Sequence, residues 1–417
     1  MRLHPMISAL RWHKAGVVLI ALQIALTLAI VCNAVFIIGQ RIERVNRPTG
    51  LKEQGLFLVT QQWVGAPTGD DPASLQKLDS LQLEDLATLR ALPNVAAVTP
   101  TNSLPLLNSS WNGSVALKPG TALLAGNART TYYYGDQNFV PTLGLHLIAG
   151  RDFNAGDVTH KGFRNTSEPS VIIVSKALAD QLFPKGDPIG KAVYLDGSDT
   201  PSTIIGVVAR IQSPATGSWN NAFVWNAVIE PVRLDAYFSR YAVRARPGRM
   251  QAAMREVAPA LYKTDPMRVL DDDSVQSFHD IRAQAYRADV GMAILMGVIC
   301  VILLAVTAAG IVGLTSFWVG QRYRQIGIRR ALGARKVDIL RYFQLENLLI
   351  AGIGSAVGVV LAIGLNLLLM QHYEMDRMPV PYVLAGVVVV LLLGQCAVFI
   401  PARRASNVPP VVAMRSA

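Results

Sequence analysis

Gly186–Ala192 reads GDPIGKA, and a lysine behind two glycines is a grouping that can hold a phosphate. A phosphate loop needs four residues between its glycines, and a Ser or Thr after the lysine to hold magnesium. Here three residues intervene and Ala192 follows, so turn chemistry accounts for the segment better than a nucleotide. The histidines (His4, His13, His146, His160, His279, His372) are scattered, and none stands four residues from another beside an acid, as a zinc hydrolase requires. There is no Gly-x-Ser-x-Gly elbow. Asp271-Asp272-Asp273 lacks the spaced oxygen ligands of a calcium loop and reads as a solvated turn. The expectation is no catalytic, metal-binding or cofactor-binding residue in this chain, and hence no enzyme.

The most concentrated chemistry lies in QRYRQIGIRRALGARKVDILR, Gln321–Arg341, where Arg322, Arg324, Arg329, Arg330, Arg335, Lys336 and Arg341 face one acid, Asp338. On a helix, Arg322, Arg329 and Arg330 with the small Gly327, Ala331 and Ala334 leave a compact surface bearing Ile326, Ile328 and Leu332, and Arg324 and Gly333 belong to the same candidate docking segment. Apolar tips inside a cationic rim suit the groove of a protein partner. The plainer alternative is a basic loop that sets topology and holds lipid phosphates.

The elements that position this segment are apolar. Of 417 residues 51% are hydrophobic and 16% charged, with a mean hydropathy of +0.33. A soluble domain is about a quarter charged, so membrane spans are expected. Four runs are long enough for a hydrocarbon layer of about 30 Å: 15–39, 290–318, 345–370 and 380–400. The first resembles a signal peptide in its basic flank, but its apolar run is too long and Gly39-Gln40-Arg41 is no cleavage site, so an uncleaved anchor is expected. The net charge of +11 arises beside the spans: before the first, between the second and third, and after the fourth at Arg403 and Arg404. The positive-inside rule puts all three places in the cytoplasm, with both termini. Arg41, Arg44 and Arg47 oppose that rule, which long translocated segments largely escape. Cys32, Cys300 and Cys396 all fall within spans, so the outer segment must fold on its core alone, without disulfides.

That outer segment, 40–288, alternates strands and helices. Gly55–Val64 and Asn94–Asn102 have strand character around a helical Leu81–Leu92, and Tyr241–Pro247, Gly248–Tyr262 and Met267–Asp271 repeat the order. Two such units suggest one α+β module with a mainly β subdomain, about 130–225, inserted between them. Val171–Ser175 and Ser202–Ile211 are strands of the insert, and 274–289 is a stalk helix running unbroken into the second span. The expected fold is an α-helical membrane protein with four transmembrane helices and a large extracytoplasmic α+β domain. Its order is a cytoplasmic N-terminus (1–14), a first span (15–39), the outer domain (40–288), a second span (290–318) and a cytoplasmic loop (319–344). A third span (345–370), a short periplasmic loop (371–379), a fourth span (380–400) and a cytoplasmic tail (401–417) follow. Gly354 and Gly358 form a small-residue face for close helix packing. Gln23, Asn33, Glu346, Asn347, Asn366 and Gln395 are the main polar residues in the spans, too few for a conduit for hydrophilic solutes.

Gln321–Leu340 resembles the signature of the FtsX/MacB-type ABC transporter permeases. The likeness extends to ENLLIAGIGSAVGVVLAIGL in the third span and to Ala402–Arg415, while Gly144–Phe153 and 171–208 are similar to the MacB-type periplasmic core domain. The resemblance implies a permease subunit in the bacterial inner membrane, whose 319–344 loop carries the coupling helix for an ATPase. That ATPase holds the ATP and magnesium. With no nucleotide-binding domain here, the ATPase is expected to be a separate polypeptide. It further implies a dimer with a second copy or a paralogue, a periplasmic membrane-fusion protein with an outer-membrane channel, and contact with membrane lipid but not nucleic acid. ATP-driven motion would reach the outer domain and export a substrate. An FtsX-like regulatory scaffold for cell-wall hydrolases is the alternative. The family usually has Glu where Gln321 and Gln325 stand, which removes two ion-pair partners at the docking surface.

Overall fold

The structure, a computed structural model, describes residues 14–122, 125–165, 167–373 and 376–407. The N-terminal 13 residues and the end of the family-like tail, 408–417, lie outside the described residues. The chain forms two compact units, one from the residues up to Asn46 together with those from Ala288 onward, the other Arg47–Arg287.

The outer unit contains a sheet of the expected split type. Strand β1 (Leu56–Trp63) leads to helix α2 (Pro72–Arg90), and β2 (Val95–Pro100) follows. Near the unit's end come β12 (Phe238–Ala245), α5 (Met250–Thr264) and β13 (Arg268–Val269). The strand order is β13-β1-β12-β2, and β12 runs antiparallel to both β1 and β2, so the two ends of the unit interleave in one sheet. Helix α2 begins earlier than periodicity suggests because Asp71 caps it, its carboxylate accepting from the Ser74 N–H at 3.0 Å ahead of Pro72. Leu86 and Leu89 of α2 pack with Phe57, Val243, Val257 and Leu261 into one buried cluster. Each such side chain contributes about 1.5–3 kcal/mol by burial. A buried Asp85–Arg268 pair at 2.8 Å joins α2 to β13, with the Tyr241 hydroxyl donating to the same carboxylate at 2.9 Å.

The inserted lobe is larger than expected. Its seven-stranded sheet runs from Trp111 in β3 (Trp111–Ala116) to Glu230 in β10 (Ala227–Glu230), rather than over 130–225. Strand β4 (Ala128–Tyr134) sits between β3 and β10, and β7 (Val171–Ser175) pairs with β9 (Pro201–Val208) and β10. Two short strands, β6 (Thr159–Gly162) and β11 (Val232–Asp235), pair separately. The GDPIGKA segment is an exposed turn in which Asp187 Oδ1 accepts from the Ile189 N–H at 3.0 Å.

The expected unbroken stalk is divided. Val275–Ser277 is a strand, β14, paired with β1, because the alternation Val-Gln-Ser adds to that edge. Ser277 then caps helix α6 (Phe278–Ala285), which stops at Tyr286. The next helix, α7, starts at Arg287.

The membrane unit has four helices long and apolar enough to cross a bilayer: α1 (Lys14–Val45), α7 (Arg287–Gln321), α9 (Lys336–Tyr373) and α10 (Val380–Ser406). The short α8 (Tyr323–Ala331) lies between α7 and α9. Helix α1 is the most enclosed, with 56% of its apolar window buried against 17% for α7. Ile24, Leu28 and Phe36 of α1 share a cluster with Ile350, Val390 and Val398 from α9 and α10. Arg41 and Arg44, which oppose the charge rule, both pair with Asp289 at the start of α7, whose one carboxylate offsets part of their charge.

Candidate functional site

Helix α8 is held at both ends by short-range chemistry. At its start the Arg322 N–H donates to the carbonyls of Trp318 and Val319, closing the last turn of α7. At its end the Gly333 N–H reaches the Arg330 carbonyl at 3.2 Å and the Ala334 N–H reaches Arg329 at 3.0 Å. This is a Schellman closure, and it requires a left-handed residue where Gly333 has φ +99°. Two residues on, the Arg335 N–H donates to Asp338 Oδ2 at 3.0 Å, half of a capping box that starts α9. The stretch LGARKVD thus writes a helix stop and a helix start into consecutive residues.

The two faces of α8 differ. Ile326 is 5% exposed and belongs to the bundle's cluster with Ile339, Phe343 and Ala402, and Gly327 is buried beside it. Ile328 and Leu332 are 43% and 83% exposed, and Arg324 and Arg329 are exposed with them. The Arg329 guanidinium lies over the Tyr342 ring at 5.2 Å. Arg324, Ile328 and Leu332 recur every four residues, so they form one outward stripe.

Of the docking residues expected from the sequence, the structure brings Arg324, Ile328, Arg329 and Leu332 to the surface together. It turns others inward. Arg322 donates to both oxygens of Glu346, at 3.1 and 2.9 Å, and both side chains are largely buried. Ile326 and Gly327 face the bundle, and the Arg330 Nε is buried with no hydrogen-bond partner among the described residues. Gly333 is exposed and ends the helix. Glu346, a mere polar residue of a span in the sequence, is the inner anchor of this element. No periodicity links it to Arg322 across the intervening turn.

Gly354 and Gly358 lie against α1. A Cβ at Gly354 would come 2.8 Å from the Ala21 carbonyl oxygen, and one at Gly358 would come 3.0 Å from that of Ala25. A polar seam joins α1 to α7: Gln23 Nε2 donates to the Val306 carbonyl at 3.1 Å, and the Thr27 and Thr307 hydroxyls meet at 2.7 Å. Asn33 donates to the carbonyls of Ala29 at 2.9 Å and Ala362 at 3.0 Å. These donors each find an acceptor, as polar groups in hydrocarbon tend to, although Asn33 Oδ1 is buried with no partner among the described residues.

Four apolar helices, a capped basic helix between two of them and a large α+β unit define a membrane permease with an attached extracytoplasmic-type domain. The chain belongs to the family of the MacB-like periplasmic core domain, whose model matches residues 18–260, and the FtsX-like permease C-terminal model matches 297–410. It is 30% identical over 361 residues to the macrolide export ATP-binding/permease protein MacB 1 of Aeromonas hydrophila subsp. hydrophila, covering 84% of this chain and 51% of that one. MacB 2 of the same organism is 26% identical over 426 residues, 99% of this chain and 60% of its own length. The chain thus spans 51% and 60% of the lengths of these two relatives. The periplasmic region of MacB from Actinobacillus actinomycetemcomitans aligns with 58% of this chain and 97% of its own, at 16% identity and a TM-score of 0.34.

Proposed function

We propose that this chain is the transmembrane part of a MacB-type ABC transporter that takes motion from an ABC ATPase at α8 and passes it to the outer domain to export a substrate. The observation that carries the reading is the outward stripe of Arg324, Ile328 and Leu332 on a helix whose other face is anchored by Ile326 and the Arg322–Glu346 pair. A short element fixed on one side and presenting apolar tips among arginines can transmit force from a partner's groove without unfolding. ATP and magnesium would sit on the ATPase, and no residue of this chain is assigned to them. A dimer with a second copy or paralogue, and a membrane-fusion protein at the outer side, complete the proposed assembly. The match of residues 18–260 to a MacB-like core supports the export reading, and an FtsX-like regulatory scaffold is the alternative.

Co-expression with the cognate ATPase tests this. Ile328→Asp with Leu332→Asp places carboxylates at the contact, where burying an unpaired charge costs several kcal/mol. At about 1.4 kcal/mol per decade the complex should weaken by orders of magnitude. A loop that only sets topology keeps every positive charge in this variant, so recovery of the ATPase at wild-type yield would refute the docking role.

A further inference from the structure

The outer unit contains a cavity of about 180 Å³ where β2 and β12 of the first sheet face β3, β4 and β11 of the inserted lobe. Trp111, Tyr134, Phe163 and Phe238 line it together with Gln82 and Arg240. The rings meet edge to face, Trp111 lying 5.1 Å from Phe163 and 5.3 Å from Tyr134, and Phe163 6.4 Å from Phe238. Such contacts fix the rings relative to one another. Elsewhere an apolar cavity of about 150 Å³ takes up benzene, so this one has room for a ring-sized group.

Two polar groups in the wall are incompletely used. Gln82 is 4% exposed and donates from Nε2 to the Leu234 carbonyl at 3.2 Å and the Ser239 hydroxyl at 2.8 Å. Its Oε1 has no donor among the described residues. Arg240 donates from one terminal nitrogen, to the Asn102 carbonyl at 2.7 Å and the Ser109 hydroxyl at 3.3 Å. Among the described residues no carboxylate pairs with it, and burial pulls its pKa down with no acid opposing the shift. No acid lines this cavity; Asp271 and Asp273 belong to a wider one, of about 520 Å³, that Arg240 also borders. A half-buried guanidinium without a counter-charge, at the end of an aromatic pocket, has the complementarity of an anion receptor.

We propose that this cavity binds a small organic anion with a ring-sized apolar body, of the arylalkyl carboxylate class. The anionic group pairs with Arg240, the body lies among Trp111, Phe163 and Phe238, and Gln82 Oε1 accepts from a donor where the ligand carries one. The site is independent of α8 and of the proposed export reading.

The test uses the full chain in lipid nanodiscs, since detergent monomers are themselves amphipathic, with empty discs as the baseline. Saturation-transfer NMR titrations compare 3-phenylpropionate with the neutral 3-phenylpropanamide. The expected result is saturable binding of the anion, with the amide weaker by roughly tenfold or more. Arg240→Gln retains a donor for the Asn102 carbonyl and should abolish the preference for the anion. Phe163→Ala removes part of the wall from a residue that is 51% exposed, so the fold is spared. It should weaken both probes by about 3- to 10-fold. The proposal is overturned by absence of saturable binding to the wild type, or by equal affinity for anion and amide. It is equally overturned if a folded Arg240→Gln keeps the preference for the anion, or if Phe163→Ala, melting as the wild type does, binds the anion unchanged; the wild-type and Phe163→Ala arms decide if Arg240→Gln fails to fold.

Discussion

Glu230 and Arg322 show what single buried charges do in the two units. Glu230, at the end of β10, is almost fully buried with Lys161 Nζ 3.3 Å away. Burial pushes its carboxyl up to about 8, Lys161 opposing the shift and Glu168 and Asp196 adding to it. Because the folded value lies above the unfolded one, stability is fully present below about pH 4.5 and is lost as pH rises toward 8. The outer unit should therefore be less stable at pH 8 than at pH 5 by on the order of 3 kcal/mol, at up to about 1.4 kcal/mol per unit. Glu230→Gln should flatten that slope in fluorescence-detected unfolding, and an unchanged slope would assign the effect elsewhere. In the membrane unit, Arg322→Met leaves Glu346 buried without its partner, at a cost of about 3–5 kcal/mol. Adding Glu346→Met should restore much of the melting temperature; strictly additive losses would show that the pair is not coupled.

At the scale of elements, close approach and chain reversal rest on glycines of two kinds. Gly354→Val and Gly358→Val push a side chain into the backbone of α1 and should cost about 1–3 kcal/mol each. Gly352→Ala meets nothing within 4 Å and should cause no loss in the same melts. If all three variants melt alike, α9 does not seat on α1 through these residues. Gly333→Val forces a branched residue to φ +99°, a strain of about 1–3 kcal/mol that should loosen α8 and reduce ATPase recovery. The existence of this basic helix was legible from its composition, but its ends were not read, although a stop at Gly333 and a start at Asp338 stand in neighbouring residues on either side of Arg335. The small-residue face at Gly354 and Gly358 was legible too, although its partner helix was not. What escaped were pairings across long separations. Arg322 and Glu346 stand 24 positions apart on opposite sides of a turn. The aromatic cavity draws on residues from Gln82 to Arg240, none of them marked by any local pattern. The stalk was misread because Val275 fits a helical period with Phe278, Ile281 and Ala285 as well as a strand edge, and only the presence of β1 decides between them.

At the scale of the whole molecule we propose, from the basic flanks alone, that residues 47–287 and the α8 loop are on opposite sides of the membrane. A cysteine at the exposed Lys185, in a background free of Cys32, Cys300 and Cys396, should react with an impermeant reagent in intact spheroplasts. One at Lys336 should react only after lysis, and the reverse pattern would invert the topology. The enclosure of α1 has a further consequence, for biosynthesis. The first span to leave the ribosome is the one most surrounded in the finished bundle, and its neighbours arrive last. Asn33 waits for Ala362, 329 residues downstream, which at bacterial elongation speeds takes roughly 15–65 s. During that interval its amide can rest on the Ala29 carbonyl of its own helix, a parking place that needs no partner. Gln23 and Thr27 must also wait, for Val306 and Thr307. Over those 329 residues the nascent chain therefore carries a polar-edged helix facing lipid or an insertion factor, and the bundle closes around that helix only as the later spans emerge.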